Sequence, residues 1–213
     1  MKDKILNILK KGQSYSFIIF LALIVATFII IAQINKPNNN NTTDDPTITD
    51  PNNQGSKVEE EDILLPLDVE NPQIARGYWH INASKEERAA ATIKLSNGYA
   101  LNNGINYTID KETEFDVVAS LTGKVVKVGY DDLHGYVVEI EHINGLKTLY
   151  SSLGSVNVEL DEVVSQGEVI GKAGSNNYDP ESGVHVHFEI FLNGFKQNPN
   201  EMIGTKVSDY ADE

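Results

Sequence analysis

The sequence predicts a mainly β (α+β) exported domain of antiparallel strands with one short helix on its N-terminal side, preceded by a single transmembrane helix. Three observations predict it. An uncharged run of about 20 residues near the N-terminus is long enough to cross a bilayer. A single capping-box pattern marks a helix start further on. From residue 115 onward, β-branched runs alternate with glycine and Asn-Gly turn signals.

The first element is the span. Residues 15–34 read YSFIIFLALIVATFIIIAQI, and at 1.5 Å per residue a helix of about 20 residues covers the roughly 30 Å hydrocarbon layer. Lys2, Lys4, Lys10 and Lys11 precede the span and acidic residues predominate after it, so the positive-inside rule keeps residues 1–14 in the cytoplasm and exports the remainder. The run is longer than the apolar region of a cleaved signal and no small-x-small site follows it, which favours a retained anchor. Residues 35–62, NKPNNNNTTDDPTITDPNNQGSKVEEED, carry almost no large apolar side chains. Such a composition cannot bury enough surface to fold and reads as a flexible linker, with a reach on the order of 30 Å.

Residues 63–94 form an extension in which Ser84-x-x-Glu87, ahead of Arg88, Ala89, Ala90 and Ala91, predicts the helix. Residues 95–203 carry the strands, and residues 204–213 form an acidic tail. Residues 115–130 are β-branched on both sides of Thr122-Gly123, residues 135–142 alternate, and Asn144-Gly145 predicts a type I′ hairpin turn. Gly167, Gly171 and Gly174 are placed at turns around a short strand at Val169 and Ile170. In residues 184–194, Val184, Val186, Phe188 and Ile190 share one face, and His185, His187 and Glu189 share the other.

Charge and composition exclude several functions. The chain has 17 basic and 31 acidic residues, a formal net charge of −14, and from Ile63 onward eleven basic against twenty-three acidic residues. Such a surface repels nucleic acid phosphates. The absence of cysteine excludes a disulfide framework, a thiolate metal site, a cysteine nucleophile and a lipid-modified cysteine. His185 and His187, at spacing two on one strand face, can share one site, but a catalytic zinc needs a third protein ligand. On the residues alone the pair fits a metal site or a half-exposed sheet face, and His80, His134 and His142 read as structural or solvated.

From about residue 95 to 199 the order of motifs resembles the lysostaphin and LytM type of zinc peptidoglycan endopeptidase. The segments are Asn102-Asn103-Gly104-Ile105-Asn106, residues 117–125, residues 140–145, Tyr150-Ser151-Ser152-Leu153, residues 164–171 and residues 183–189. The resemblance implies that family's antiparallel β fold. In the family, the His and Asp of H-x-G-x-D and the second His of H-x-H hold zinc, while the His of Y-x-H-L and the first His of H-x-H flank the activated water. Carried over residue by residue, Asn102 and Asn106 stand at two ligand positions and His187 remains at the third. Ser152 stands at one catalytic histidine position and His185 is vestigial. An amide oxygen is a weaker zinc donor than carboxylate or imidazole, and a hydroxyl is no base near neutral pH. No zinc and no catalysis are therefore expected.

The layout of basic N-terminus, span, polar linker and Lys85-Glu86-Glu87 helix further resembles a sporulation branch of this family. That resemblance implies a forespore-membrane protein with its C-terminal domain in the intermembrane space. It also implies stage III sporulation protein AH as the partner, with a role in engulfment and in a ring-like channel between mother cell and forespore. Two other readings are an endopeptidase with relocated ligands, drawn from His185, His187, Asp110 and His142, and a pseudoenzyme that binds peptidoglycan.

Overall fold

The computed structural model describes residues 61–211; the expected span at 15–34 and nearly all of the linker lie outside them. Among the described residues, no helix is long and apolar enough to cross a membrane.

Antiparallel strands dominate, as the alternating runs predict. The large sheet runs in the order β1 (Gln73–Arg76), β4 (Ile105–Lys111), β11 (Val184–Leu192), β8 (Leu146–Val156), β7 (Gly135–Glu141), β6 (Gly123–Asp131) and β9 (Val163–Val164). β10 (Val169–Ala173) pairs with β8 and with β5 (Asp116–Val118), and β12 (Phe195–Gln197) pairs with β11. A separate hairpin joins β2 (Thr92–Leu95) to β3 (Gly98–Leu101).

Local chemistry fixes the elements. α1 (Lys85–Ala90) has the predicted capping box: the Glu87 N–H donates to Ser84 Oγ at 3.1 Å and the Ser84 N–H donates to Glu87 Oε2 at 2.8 Å. Asn144 and Gly145 have φ of 56° and 70°, the positive pair that a type I′ turn requires, and join β7 to β8. Along β11, Val186, Phe188 and Ile190 are buried in the core while His185, His187 and Glu189 face the opposite side. Phe188 meets Tyr150 of β8 with ring centroids 5.3 Å apart.

Three features differ from the sequence reading. Gly171 lies inside β10 and not at a turn; a Cβ there would sit 2.4 Å from the Ser155 carbonyl oxygen, so glycine is required by close strand approach. The expectation of one helix is incomplete, because α2 (Pro199–Met202) follows β12, with Pro199 in its first turn and the Asn198 side chain capping the Asn200 N–H. β1, Gln-Ile-Ala-Arg, precedes α1 and is too short for its alternation to mark a strand in the sequence. At the far end of the domain Val207 is fully buried, and its N–H donates to the Glu61 carbonyl at 3.0 Å.

His142 is structural. It is buried, its Nδ1–H donates to the Thr122 carbonyl at 3.0 Å, and Nε2 meets Thr148 Oγ1 at 2.8 Å. Burial pushes its imidazole down to about 4, against the hydrogen bond to Thr122. The unfolded chain, with a histidine near 6.5, takes up this proton before the folded chain does. The contribution is therefore unchanged above pH 6.5 and turns against folding as pH falls toward 4, by a few kcal/mol at about 1.4 kcal/mol per unit. We expect the unfolding midpoint in urea to drop across this window and the drop to be smaller in His142→Gln; an equal drop in the variant assigns the effect elsewhere.

Candidate functional site

The site is a groove of about 490 Å³ on the face of the sheet opposite the Phe188 core. β4 supplies Asn106, β8 supplies Ser151, β11 supplies His185, His187 and Glu189, and the loop before β11 supplies Asn176 and Asp179. Four of the five positions picked out by the motifs divide between two hydrogen-bonded clusters, and the fifth, Asn102, bonds to backbone carbonyls beside them.

The first cluster is built on β11 and β4, where His187 pairs in register with Asn106. Asn106 Nδ2 donates to Asp179 Oδ2 at 2.9 Å and to Ser182 Oγ at 3.0 Å. Its Oδ1 is thereby left to accept from His187 Nδ1 at 2.7 Å. On the other side of the ring, His187 Nε2 lies 3.1 Å from Glu189 Oε1, which also accepts from Lys196 Nζ at 2.8 Å. Burial would raise the Glu189 carboxyl, but the bonds and charges of His187 and Lys196 outweigh it and hold the group below the usual carboxylate range. Asp179 is likewise pushed up by burial and held low by the guanidinium of Arg76 and the hydroxyl of Ser182. Gly104 makes this packing possible, since a Cβ there would lie 2.3 Å from the Phe188 carbonyl and 2.9 Å from the His187 ring.

The second cluster is built on Ser152 and His185. His185 is fully buried; its Nδ1–H donates to the Gly183 carbonyl at 2.8 Å and its Nε2 accepts from Ser152 Oγ at 2.9 Å. Asn176 Nδ2 in turn donates to Ser152 Oγ at 2.5 Å. Burial pushes the His185 imidazole down to about 4, against the Gly183 hydrogen bond. The lone pair that a catalytic base would use is engaged by the Ser152 hydroxyl.

These residues do not fit zinc. Two ligands holding one zinc by bonds of about 2.0–2.1 Å at a tetrahedral angle stand roughly 3.3 Å apart, whereas His187 Nδ1 and Asn106 Oδ1 are joined directly at 2.7 Å. Asn102 turns its amide nitrogen to the Gly77 and Gly104 carbonyls at 3.0 and 2.9 Å, and leaves only a buried, unpartnered Oδ1. Among the described residues, no three His, Cys, Asp or Glu side chains converge on a point where a metal ion could be held. Of the ligands proposed for a relocated centre, Asp110 accepts from Glu112 and Thr113 in a turn and His142 is engaged by Thr122 and Thr148. Arg76, Asn176 and Asp179 carried no signal in the sequence, because each reaches the site through contacts distant along the chain. His134, read as structural or solvated, lines the groove and packs on Tyr178 with ring centroids 4.9 Å apart. His80 lies in an exposed turn, where its Nδ1 accepts from the Asn82 N–H.

Residues 100–199 match the model of peptidase family M23. Stage II sporulation protein Q of Bacillus subtilis (strain 168) is 44% identical over 149 residues, 70% of this chain. One solved chain, from the SpoIIQ–SpoIIIAH pore-forming complex, is 42% identical and covered over 98% of its length, with 72% of this chain aligned at a TM-score of 0.69. The chain belongs to the stage II sporulation protein Q family. It spans 53% of the length of the B. subtilis relative. A zinc-containing peptidase from Vibrio cholerae, 22% identical at a TM-score of 0.51 over 65% of this chain and 39% of that one, shares the fold. The family thus carries an M23-type domain, and the substituted motif positions fit a degenerate peptidase.

The clusters predict how the site responds to reversion toward a metal ligand. Asn106→Asp removes the donor to Asp179 and sets two carboxylates against each other, so it should lower stability by about 2–3 kcal/mol at pH 7. Urea unfolding of the variant checks this, and an unchanged midpoint contradicts the assigned bonds.

Proposed function

We propose that this chain is a non-catalytic, membrane-anchored scaffold of sporulation. Its exported domain pairs with stage III sporulation protein AH across the intermembrane space, and the pair contributes to the mother cell to forespore channel. The observation that carries this reading is the match to the solved chain of the SpoIIQ–SpoIIIAH complex over 98% of its length. The anchor at residues 15–34 fixes one end in the forespore membrane and residues 35–62 give reach. Between tethered partners the effective concentration reaches the millimolar range for short flexible linkers, so a modest interface suffices, and many copies side by side add avidity.

Catalytic inactivity follows from chemistry at the motif positions. Asn102, Asn106 and His187 form no zinc-binding set, and Ser152 cannot take a proton near neutral pH. The purified chain should hold far less than one zinc per molecule after dialysis and should leave peptidoglycan cross-bridges intact. One tightly held zinc together with cleavage overturns this part of the reading. For the partner, the full chain in detergent should form a complex with stage III sporulation protein AH at micromolar concentrations, seen by co-elution on size exclusion; separate elution throughout that range counts against it. The groove itself, open and lined by Asn103, Asn176, Tyr178 and Lys127, favours a second reading in which it binds peptidoglycan without cleaving it. Retention on purified sacculi tests that reading.

A further inference from the structure

The residues through which a chain enters a domain fray unless something ties them down. In this domain the last two residues of the expected linker, Glu61 and Asp62, are built into the fold. Thr122 donates twice to the Glu61 carboxylate, from its N–H to Oε2 at 2.8 Å and from its hydroxyl to Oε1 at 2.5 Å. The Glu61 carbonyl accepts from the Val207 N–H at 3.0 Å, and the Asp62 carbonyl accepts from Gln166 Nε2 at 2.8 Å. Hydrogen bonds to a carboxylate are roughly twice as strong as neutral ones. The strongest fastening therefore sits at the residue on which a pull along the linker acts first.

Residues 63–67 continue inward between two neighbours. On one side the Ile63 N–H donates to the Thr205 carbonyl at 2.9 Å and the Ile63 carbonyl accepts from the Gly204 N–H at 2.8 Å, with Asp62 bridged to Lys206. On the other side the Leu64 N–H donates to the Ser120 carbonyl at 3.1 Å and the Pro66 carbonyl accepts from the Val118 N–H at 3.0 Å. Ile63 and Leu67 are buried in the core. The C-terminal segment 204–210 is fastened in turn. Val207 lies in the core, its carbonyl accepts from Asn144 Nδ2 at 3.1 Å, and Tyr210 Oη meets Thr205 Oγ1 at 2.7 Å. Asn144 belongs to the β7–β8 turn, so this segment is fixed to inner strands of the large sheet.

Two routes lead from the root of the linker into the sheet. One runs from Glu61 to Thr122, just ahead of β6, and the other from Glu61 through Val207 to Asn144. A strap pulled from one end peels from that end, and its first bonds decide whether it opens locally or only with the rest of the domain. We propose that Glu61 and residues 204–210 form a latch, which holds residues 61–67 on the sheet and delivers a pull on the linker to β6, β7 and β8. The source of the pull rests on the membrane-anchored pairing proposed above; the latch itself does not. Release of residues 61–67 would add roughly 25 Å of chain, at about 3.3–3.6 Å per extended residue. That is comparable with the linker's own reach, on the order of 30 Å. The latch thus keeps the length of the tether constant under tension.

The test uses the full chain in detergent. In Glu61→Ala, hydrogen exchange at the Ile63 and Leu64 amides should speed up at least tenfold, with the β7 and β8 amides unchanged. Asn144→Gly keeps the positive φ and loses the side-chain amide; it should do the same at Val207 and Ile63. Because the chain has no cysteine, Ser56→Cys in the linker and Glu112→Cys in the exposed β4–β5 turn give unique attachment points for optical trapping. With these handles the unaltered latch should give no step ahead of the opening of the sheet. Adding Glu61→Ala should release residues 61–67 in a separate step, about 25 Å of chain, at less than half the force. Unchanged exchange in both variants overturns the latch. Equal acceleration throughout β7 and β8 assigns these residues to the stability of the whole domain and also overturns it. An early step with the unaltered latch, at the force seen for Glu61→Ala, overturns the path of the pull. The handles replace membrane and partner, so a missing complex with stage III sporulation protein AH overturns the pairing alone, and these measurements decide the latch.

Discussion

Strand β11 is the constraint on which the domain depends. It is hydrogen-bonded on both edges, to β4 through the His187–Asn106 register and to β8 through His187–Ser151. Because side chains alternate with period two, a slip of one residue would drive His185, His187 and Glu189 into the core and expel Val186, Phe188 and Ile190. The apolar face fixes the register, and the register in turn brings Asn106 and the Ser151 and Ser152 pair of β8 to the two histidines. Core packing and site geometry are two faces of the same pairing.

Charge balance explains how the buried polar cluster stays folded. Asp179 and Glu189 are both buried, and each carries a cationic partner, Arg76 for the first and Lys196 for the second. A buried pair gains little net stability over an apolar equivalent, but losing one partner typically costs about 3–5 kcal/mol. This asymmetry makes Arg76 and Asp179 a unit that must be kept or replaced together. A fold shared with a zinc-containing peptidase holds a hydrogen-bonded clasp here, since function resides in the site and not in the fold.

The backbone at Ser152 has the same logic. Its φ of 64° is unusual for a residue with a side chain, and it is held by backbone bonds from the Ser152 N–H to His134 and from the Gly174 N–H to the Ser152 carbonyl. Gly174 also accepts from the His185 N–H at 2.9 Å, and a Cβ on it would lie 2.7 Å from the Gly154 nitrogen. Close approach at this glycine therefore sets the distance between Ser152 and His185.

Much was legible in the sequence because it is local. The capping box at Ser84, the Asn144-Gly145 turn, the two faces of β11 and the asparagines at positions 102 and 106 all depend on neighbours within a few residues. Gly171 was misplaced because a glycine needed for close strand approach looks the same as a glycine needed for a turn. What only the tertiary structure decided are the long-range partners: Arg76 and Asp179 are separated by 103 positions, Asn106 and Asp179 by 73. Spacing along the chain carries no information about such contacts, because sheet pairing and burial, not local propensity, bring them together. The sequence by itself determined which residues stand at the motif positions; the fold decided that Asn106 and Ser152 bond to the two histidines and that Asn102 bonds to the extension.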